Sequence, residues 1–204
     1  MAAKRKAGNG ITKFILLLVF GGMLVLGIFM LLNRDKGKKQ TSEENMVLSR
    51  VQELTTMNLD MIYPTNEREL VTLFGRSMQV LYNDEVSDSQ IEEVGEQLLK
   101  IYDFELIGNQ GNYLSQLHGE VKRKKAEGIT IQNYVVVEKN RVQYFRDEAG
   151  YECAGVECTF SVRQGTALES TIYVFICRKE ADTGKWKIFG WTPREDQSVN
   201  LFGW

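Results

Sequence analysis

The sequence predicts an α+β protein: an N-terminal transmembrane helix, then a body of helices packed on an antiparallel sheet. Three observations predict it. Residues 14–32 form 19 consecutive uncharged positions, nearly all apolar. Residues from about 47 to 121 carry apolar side chains at helical spacing, and beyond Gly128 the composition turns to β-branched and aromatic runs divided by turn residues. Helices gathered first and a strand meander afterwards fit a layered α+β arrangement rather than alternating parallel units. The 204 residues are 43% hydrophobic and 10% aromatic, which excludes disordered, collagen-like and disulfide-scaffold classes. The chain's balance of −2 hides a division: residues 1–39 hold eight basic groups and one acid, so residues 40–204 hold 17 basic and 26 acidic, net −9.

A short basic tail, residues 1–13, precedes the apolar run Phe14 to Leu32. At 1.5 Å per residue that run extends about 28 Å, close to the hydrocarbon core of ~30 Å, whereas the apolar stretch of a cleavable signal peptide is ~7–15 residues. No small-residue cleavage site follows; Asn33-Arg34-Asp35-Lys36-Gly37-Lys38-Lys39 does, as expected of an uncleaved anchor. Lys4, Arg5, Lys6 and Lys13 nearly balance Arg34, Lys36, Lys38 and Lys39. Flanking charge therefore barely orients the span. A basic tail before an apolar run is nevertheless how export signals are built, which puts the acidic body outside the cytoplasm. The expectation is a single-pass protein of the cell membrane that meets lipid through residues 14–32. A polar spacer, residues 33–44, leads to a body over 45–192 and a C-terminal tail over 193–204.

Four helical segments open the body: Val47, Val51, Leu54 and Met61; Leu70, Val71, Phe74, Met78, Leu81 and Tyr82; Ile91, Val94, Leu98, Ile101 and Tyr102; Leu114, Leu117 and Val121. Pro64 separates the first two, Ser87 or Asp88 can cap the third, and Gly108 with Gly111 separates third from fourth. Strands are expected at 129–137, 141–146, 156–164, 170–178 and 185–192, with short connections that force antiparallel neighbours. Val156, Cys158, Phe160 and Val162 alternate with polar residues, so one face is buried; 170–178 is apolar on both faces and reads as a central strand covered on both sides. Pairing those two strands with residue numbers totalling about 335 would set Cys158 opposite Cys177 and Phe160 opposite Phe175. In the last strand Trp186 and Ile188 should be buried, Lys185 and Lys187 wet.

Cys153-Ala154-Gly155-Val156, Tyr173-Val174-Phe175 and Gly184-Lys185-Trp186-Lys187-Ile188-Phe189-Gly190-Trp191 punctuate the C-terminal third. Through them it resembles the closing strands of the nuclear transport factor 2-like superfamily. The resemblance implies helices packed into a curved sheet, a cone with a cavity at its mouth. The whole chain also resembles a family of small single-pass membrane proteins of Gram-positive (Lachnospiraceae-type) gut bacteria.

Chemistry-bearing residues are sparse. His118 is the only histidine and stands beside Leu117 at the edge of an apolar stripe, where a structural role is expected over a general base. With Cys153, Cys158 and Cys177 it would make a Cys₃His count, but Cys-x-x-Cys spacing is lacking, so the cysteines read as small strand residues and no metal is expected. Lys122 to Lys125 form a basic run at a helix end, where positive charge suits the dipole; in a body of net −9 this does not point to nucleic acid. No phosphate loop, nucleophile elbow or dinucleotide fingerprint occurs, so no cofactor and no catalytic set is assigned. Tyr134, Tyr144, Tyr173, His118 and Trp186 remain as residues that could line a cavity. Two function classes follow. One is a non-catalytic, membrane-tethered binding or assembly module of the cell envelope, with a protein partner or a small apolar ligand, whose layout resembles scaffold subunits of conjugative and type IV secretion machines. The other, implied by the superfamily resemblance, is a ketosteroid-isomerase or dehydratase type of enzyme, which needs a carboxylate or His base facing an apolar cavity with a Tyr or protonated Asp donor opposite.

Overall fold

The computed structural model describes residues 48–194 and Phe202. The chain separates into two compact units, Met1–Leu48 and Ser49–Trp204, and the described residues fall almost wholly in the second. The expected tail, span 14–32 and spacer lie outside them; among the described residues no helix is long and apolar enough to cross a membrane. These residues form an α+β body. Its helices are α1 (Arg50–Thr55), α2 (Glu67–Asn83), α3 (Asp88–Ile101), α4 (Phe104–Asn109) and α5 (Tyr113–Ala126). The strands follow: β1 (Ile129–Val136), β2 (Gln143–Arg146), β3 (Glu152–Gln164), β4 (Ala167–Lys179) and β5 (Trp186–Pro193). The sheet is antiparallel in the order β1-β3-β4-β5, with β2 paired to β3 in line with β1.

Side-chain caps start the helices. Ser49 and Ser87 form capping boxes with Gln52 and Gln90, and the Asn66 side chain accepts the N–H of Glu69, each satisfying amides that the first helical turn leaves over. Gly111 lies between two helices as expected, but Gly108 falls inside an additional short one. The Asp103 carboxylate accepts the Glu105 N–H at 2.9 Å and begins the six-residue α4, which contains Gly108. A helix this short shows no periodicity for sequence reading to detect.

Helix α2 is the spine of the core. Leu70, Val71, Phe74, Met78 and Leu81 are completely buried, and Phe74 meets Phe175 and Trp191 of the sheet at 5.1 Å each between ring centroids. Gly75 is required there: a Cβ would stand 2.7 Å from the Tyr134 ring. At the end of α2 the Asn83 amide donates to the Ile131 carbonyl (2.7 Å) and accepts from the Ile131 N–H (2.8 Å), holding β1 where its pairing with β3 slips between Ile131 and Asn133. Beyond α3, the Asp103 N–H donates to the Ile188 carbonyl at 2.8 Å, and Tyr102 bridges Ile188 in parallel along the outer side of β5.

The central hairpin departs from the expected register. Cys158 opposes Tyr173, Phe160 opposes Thr171, Phe175 opposes Val156 and Cys177 opposes Ala154. The two cysteines share the buried face but stand well apart along it. The cause is the turn: Gly165-Thr166 alone link the strands, with Gly165 at φ 57° as a two-residue loop with glycine first requires, so pairing runs on through Ala167 to Ser170. Ala167 to Glu169 are exposed and stand ahead of the expected strand start at 170. Strand β4 is central, but its outer residues Ile172, Val174 and Ile176 are only partly buried. In β5, Ile188 is fully buried while Trp186 is partly so, and the lysines are not simply wet. Lys187 donates to the Lys100 carbonyl at 2.6 Å, and Lys185 and Lys187 lie 4.7 and 5.2 Å above the Tyr63 ring, whose hydroxyl donates to the Trp186 carbonyl. Phe202, expected in a terminal tail, is 1% exposed inside the core.

Candidate functional site

At one end of the sheet, the start of β3, the end of β4, β2 and the start of β5 surround a surface depression of about 490 Å³ lined by Tyr144, Phe145, Arg146, Glu152, Cys153, Lys179 and Trp186. Alternation puts Tyr144 on the side of the sheet that faces α2, and there its hydroxyl donates to Glu67 Oε1 at 2.7 Å. Glu67 itself is 4% exposed at the first turn of α2, where the helix dipole favours a carboxylate. The bond to Glu67, with burial second, pushes the Tyr144 phenol up to about 12. The Tyr144 ring is 57% exposed and lies 6.4 Å from Trp186.

Charged walls flank these rings. Glu152 accepts from Lys179 at 3.0 Å and from Arg146 at 3.3 Å, and Arg146 also donates to the Gly150 carbonyl at 2.8 Å. The Lys179 hydrogen bond holds the Glu152 carboxyl below its ordinary range. Each charge is thereby oriented by a partner, and the rings between them stay open to a ligand. The arrangement suits recognition of a molecule that has both apolar and polar faces.

On the opposite face of β4, Arg178 is buried at 5% side-chain exposure. It donates to Asp103 through two hydrogen bonds (3.0 and 2.5 Å) and to Glu105 (2.9 Å), and the rings of Phe189, Tyr151 and Phe104 lie 4.5, 4.8 and 5.3 Å from its guanidinium. Burial alone would lower its pKa, but the Asp103 and Glu105 hydrogen bonds outweigh that and raise it. The cluster closes on itself and ties the α3–α4 turn to the sheet.

The five residues singled out from sequence separate. Tyr144 and Trp186 come together at the depression. His118 lines another, with Asp88, Glu92, Asn112 and Ser115, between the starts of α3 and α5. Its Nε2 is 3.1 Å from Asp88, which also accepts from Lys122 at 3.2 Å; the Lys122 bond and then His118 hold the Asp88 carboxyl down. Tyr173 is fully buried in the core, and the partly buried Tyr134 packs against that core between Gly75 and Phe160. The three cysteines are free thiols, all buried; burial pushes Cys158 up to about 12 and raises Cys177 further. Among the described residues no set of His, Cys, Asp and Glu is arranged to hold a metal ion. Sequence reasoning missed Glu67, Arg146, Glu152 and Lys179. The alternation of β2 and β3 was the available signal, since Tyr144 and Arg146 share a face.

Fold and site together define an α+β body, helices on one antiparallel sheet, with an aromatic depression at one sheet end. Over residues 1–191 the chain matches the family described as Domain of unknown function (DUF6715), and it belongs to that family. No curated protein matches it.

Proposed function

We propose that the chain is a non-catalytic binding or assembly module of the cell envelope, anchored by residues 14–32 in the lipid bilayer, with its α+β body, a nuclear transport factor 2-like cone, outside the cytoplasm. The observation that carries the reading is the depression at Tyr144 and Trp186: accessible rings between charged groups already paired with one another, an arrangement for holding a partner or a small apolar ligand. His118 shares Asp88 with Lys122 at the surface, which suits a structural role better than proton transfer. Two assays test the proposal on the full-length protein in cells. Protease added to protoplasts should trim the body and leave the span, and full protection would reverse the topology. A photoreactive residue in place of Tyr144 should give one discrete adduct that Trp186→Ala removes; no adduct, or one indifferent to Trp186, would sink the binding reading at this site.

The enzyme alternative has one observation in its favour, the buried Glu67 carboxylate against the Tyr144 hydroxyl. The two are bonded to each other rather than set across a cavity, so a substrate would first have to part them. Should Glu67→Gln abolish a turnover and leave stability unchanged, the enzyme reading replaces the binding one.

A further inference from the structure

Strand β2 is exposed at every residue and pairs with β3 along one side only. The phase of that pairing decides which backbone groups are left over. The Asp147 N–H donates at 3.2 Å to the carbonyl of Tyr151, the residue opposite it, and on the same side of β3 the Val137 N–H donates to Glu157 in the same way. Bonded and unbonded pairs alternate along an antiparallel ladder, so Phe145 and Gln143 direct their backbone groups to Cys153 and Gly155. The N–H and C=O groups of Tyr144 and Arg146 therefore point away from the sheet, and nothing among the described residues bonds to them. Rings flank this edge on both faces, Tyr144 at 57% and Phe145 at 44% exposure. Donors and acceptors repeated every second residue, about 6.8 Å apart, are matched by another extended strand.

We propose that this edge docks a second copy of the chain, the two β2 strands pairing antiparallel about a twofold axis at Phe145 and joining their sheets. The segment Gln143-Tyr144-Phe145-Arg146-Asp147 is complementary to itself in that register. Tyr144 stands opposite Arg146 of the second copy, and the left-over groups of each such pair exchange two hydrogen bonds. On one face each guanidinium meets a tyrosine ring; on the other, Phe145 meets its own symmetry mate and Gln143 offers its amide to the Asp147 carboxylate. A register centred on Arg146 would oppose two arginines, and one centred on Tyr144 would leave Arg146 against the buried Val142. The pairing belongs to the strand's edge, so it can fail without the depression at Tyr144 and Trp186 failing as a binding site, and the reverse.

Oxidative cross-linking of the purified full chain in mild detergent tests the pairing. The three native thiols are buried and do not interfere. The axis brings the two residue-145 Cα atoms to about 4.5 Å, within the ~4.4–6.8 Å that a disulfide spans. Phe145→Cys should form a covalent dimer roughly tenfold or more faster than Leu168→Cys, which replaces a residue 57% exposed on β4 and meets its copy only by collision. In the Phe145→Cys background, Arg146→Pro removes the outward N–H and should abolish the excess rate, whereas Arg146→Ala keeps that N–H and should retain most of it. Equal rates for Phe145→Cys and Leu168→Cys would overturn the proposal. So would equal losses from Pro and Ala, since backbone pairing alone tells the two apart. If Arg146→Pro does not fold, the comparison of Phe145→Cys with Leu168→Cys decides.

Discussion

Phe175 and Arg178 stand three residues apart on β4 and point to opposite faces of the sheet, and they are held by different physics. Phe175 is one ring among Phe74, Phe160 and Trp191, stabilised by area removed from water and by edge contacts that tolerate small displacements. Arg178 is a charge taken out of water, tolerable only because Asp103 and Glu105 bind its guanidinium in fixed directions. The first arrangement depends on how much is buried. The second depends on which partners remain, and this difference decides how each should respond to change.

The largest effects come from breaking either arrangement singly. Phe160→Ala, which empties a fully buried site, should destabilise the chain by about 3–5 kcal/mol in urea unfolding. Arg178→Met, which strands the buried Asp103 carboxylate, should cost a similar ~3–5 kcal/mol. The two sites part company in the pair: adding Asp103→Leu to Arg178→Met should restore much of the loss, because a buried pair replaced by apolar groups is close to neutral. A double variant no more stable than the single one would show that Asp103 matters chiefly as the cap of α4.

Alkali gives an intermediate effect. Burial, with the Glu120 carboxylate next in importance for Tyr82, raises the phenols of Tyr82, Tyr102 and Tyr113 well above their ordinary value. Groups raised on folding contribute stability that is intact below the unfolded phenol pKa of about 10 and is lost as pH rises through the folded values. Absorbance at 295 nm should therefore show these tyrosines ionising only together with unfolding; early titration of them would contradict their burial.

The smallest effect belongs to the surface. Lys122→Ala should change stability by no more than about 0.5 kcal/mol. Asp88 has a depressed pKa, so its small contribution is present above the unfolded carboxyl pKa of about 4 and fades as pH falls further. Lys122→Ala and wild type should then converge in acid, and divergence there would assign Lys122 another role.

The same contrast explains what could be read from the sequence. The Phe175 side was legible, because apolar residues at helical and alternating spacing mark α2, β3 and β4, and these place Phe74, Phe160 and Phe175 together. The Arg178 side was not, since Asp103 and Glu105 are far from Arg178 in sequence and no period connects charges that meet only in three dimensions. Register failed for a local reason: Gly165-Thr166 closes the hairpin in two residues, and Ala167 to Glu169, left out of the expected strand, pair with β3. Of the candidate site, Tyr144 and Trp186 were visible as strand aromatics, but Glu67 was not, because a glutamate in a first helical turn is ordinary until a tyrosine from a distant strand reaches it.

The bond from the Asp103 N–H to the Ile188 carbonyl has a consequence for how molecules of this protein behave toward one another. An uncovered outermost strand exposes unpaired amides and carbonyls that can recruit the same strand of a second molecule, the first step of aggregation. Strand β5 is guarded along its length. Tyr102 and Asp103 occupy its middle, Lys185 and Lys187 charge its beginning, the extra residue Phe189 bends it where its pairing with β4 slips, and Pro193, which has no N–H to offer, ends it. The buried Arg178–Asp103 pair keeps the α3–α4 turn in that guarding position. Loss of the pair should therefore surface first as clumping of still largely folded molecules, ahead of global unfolding.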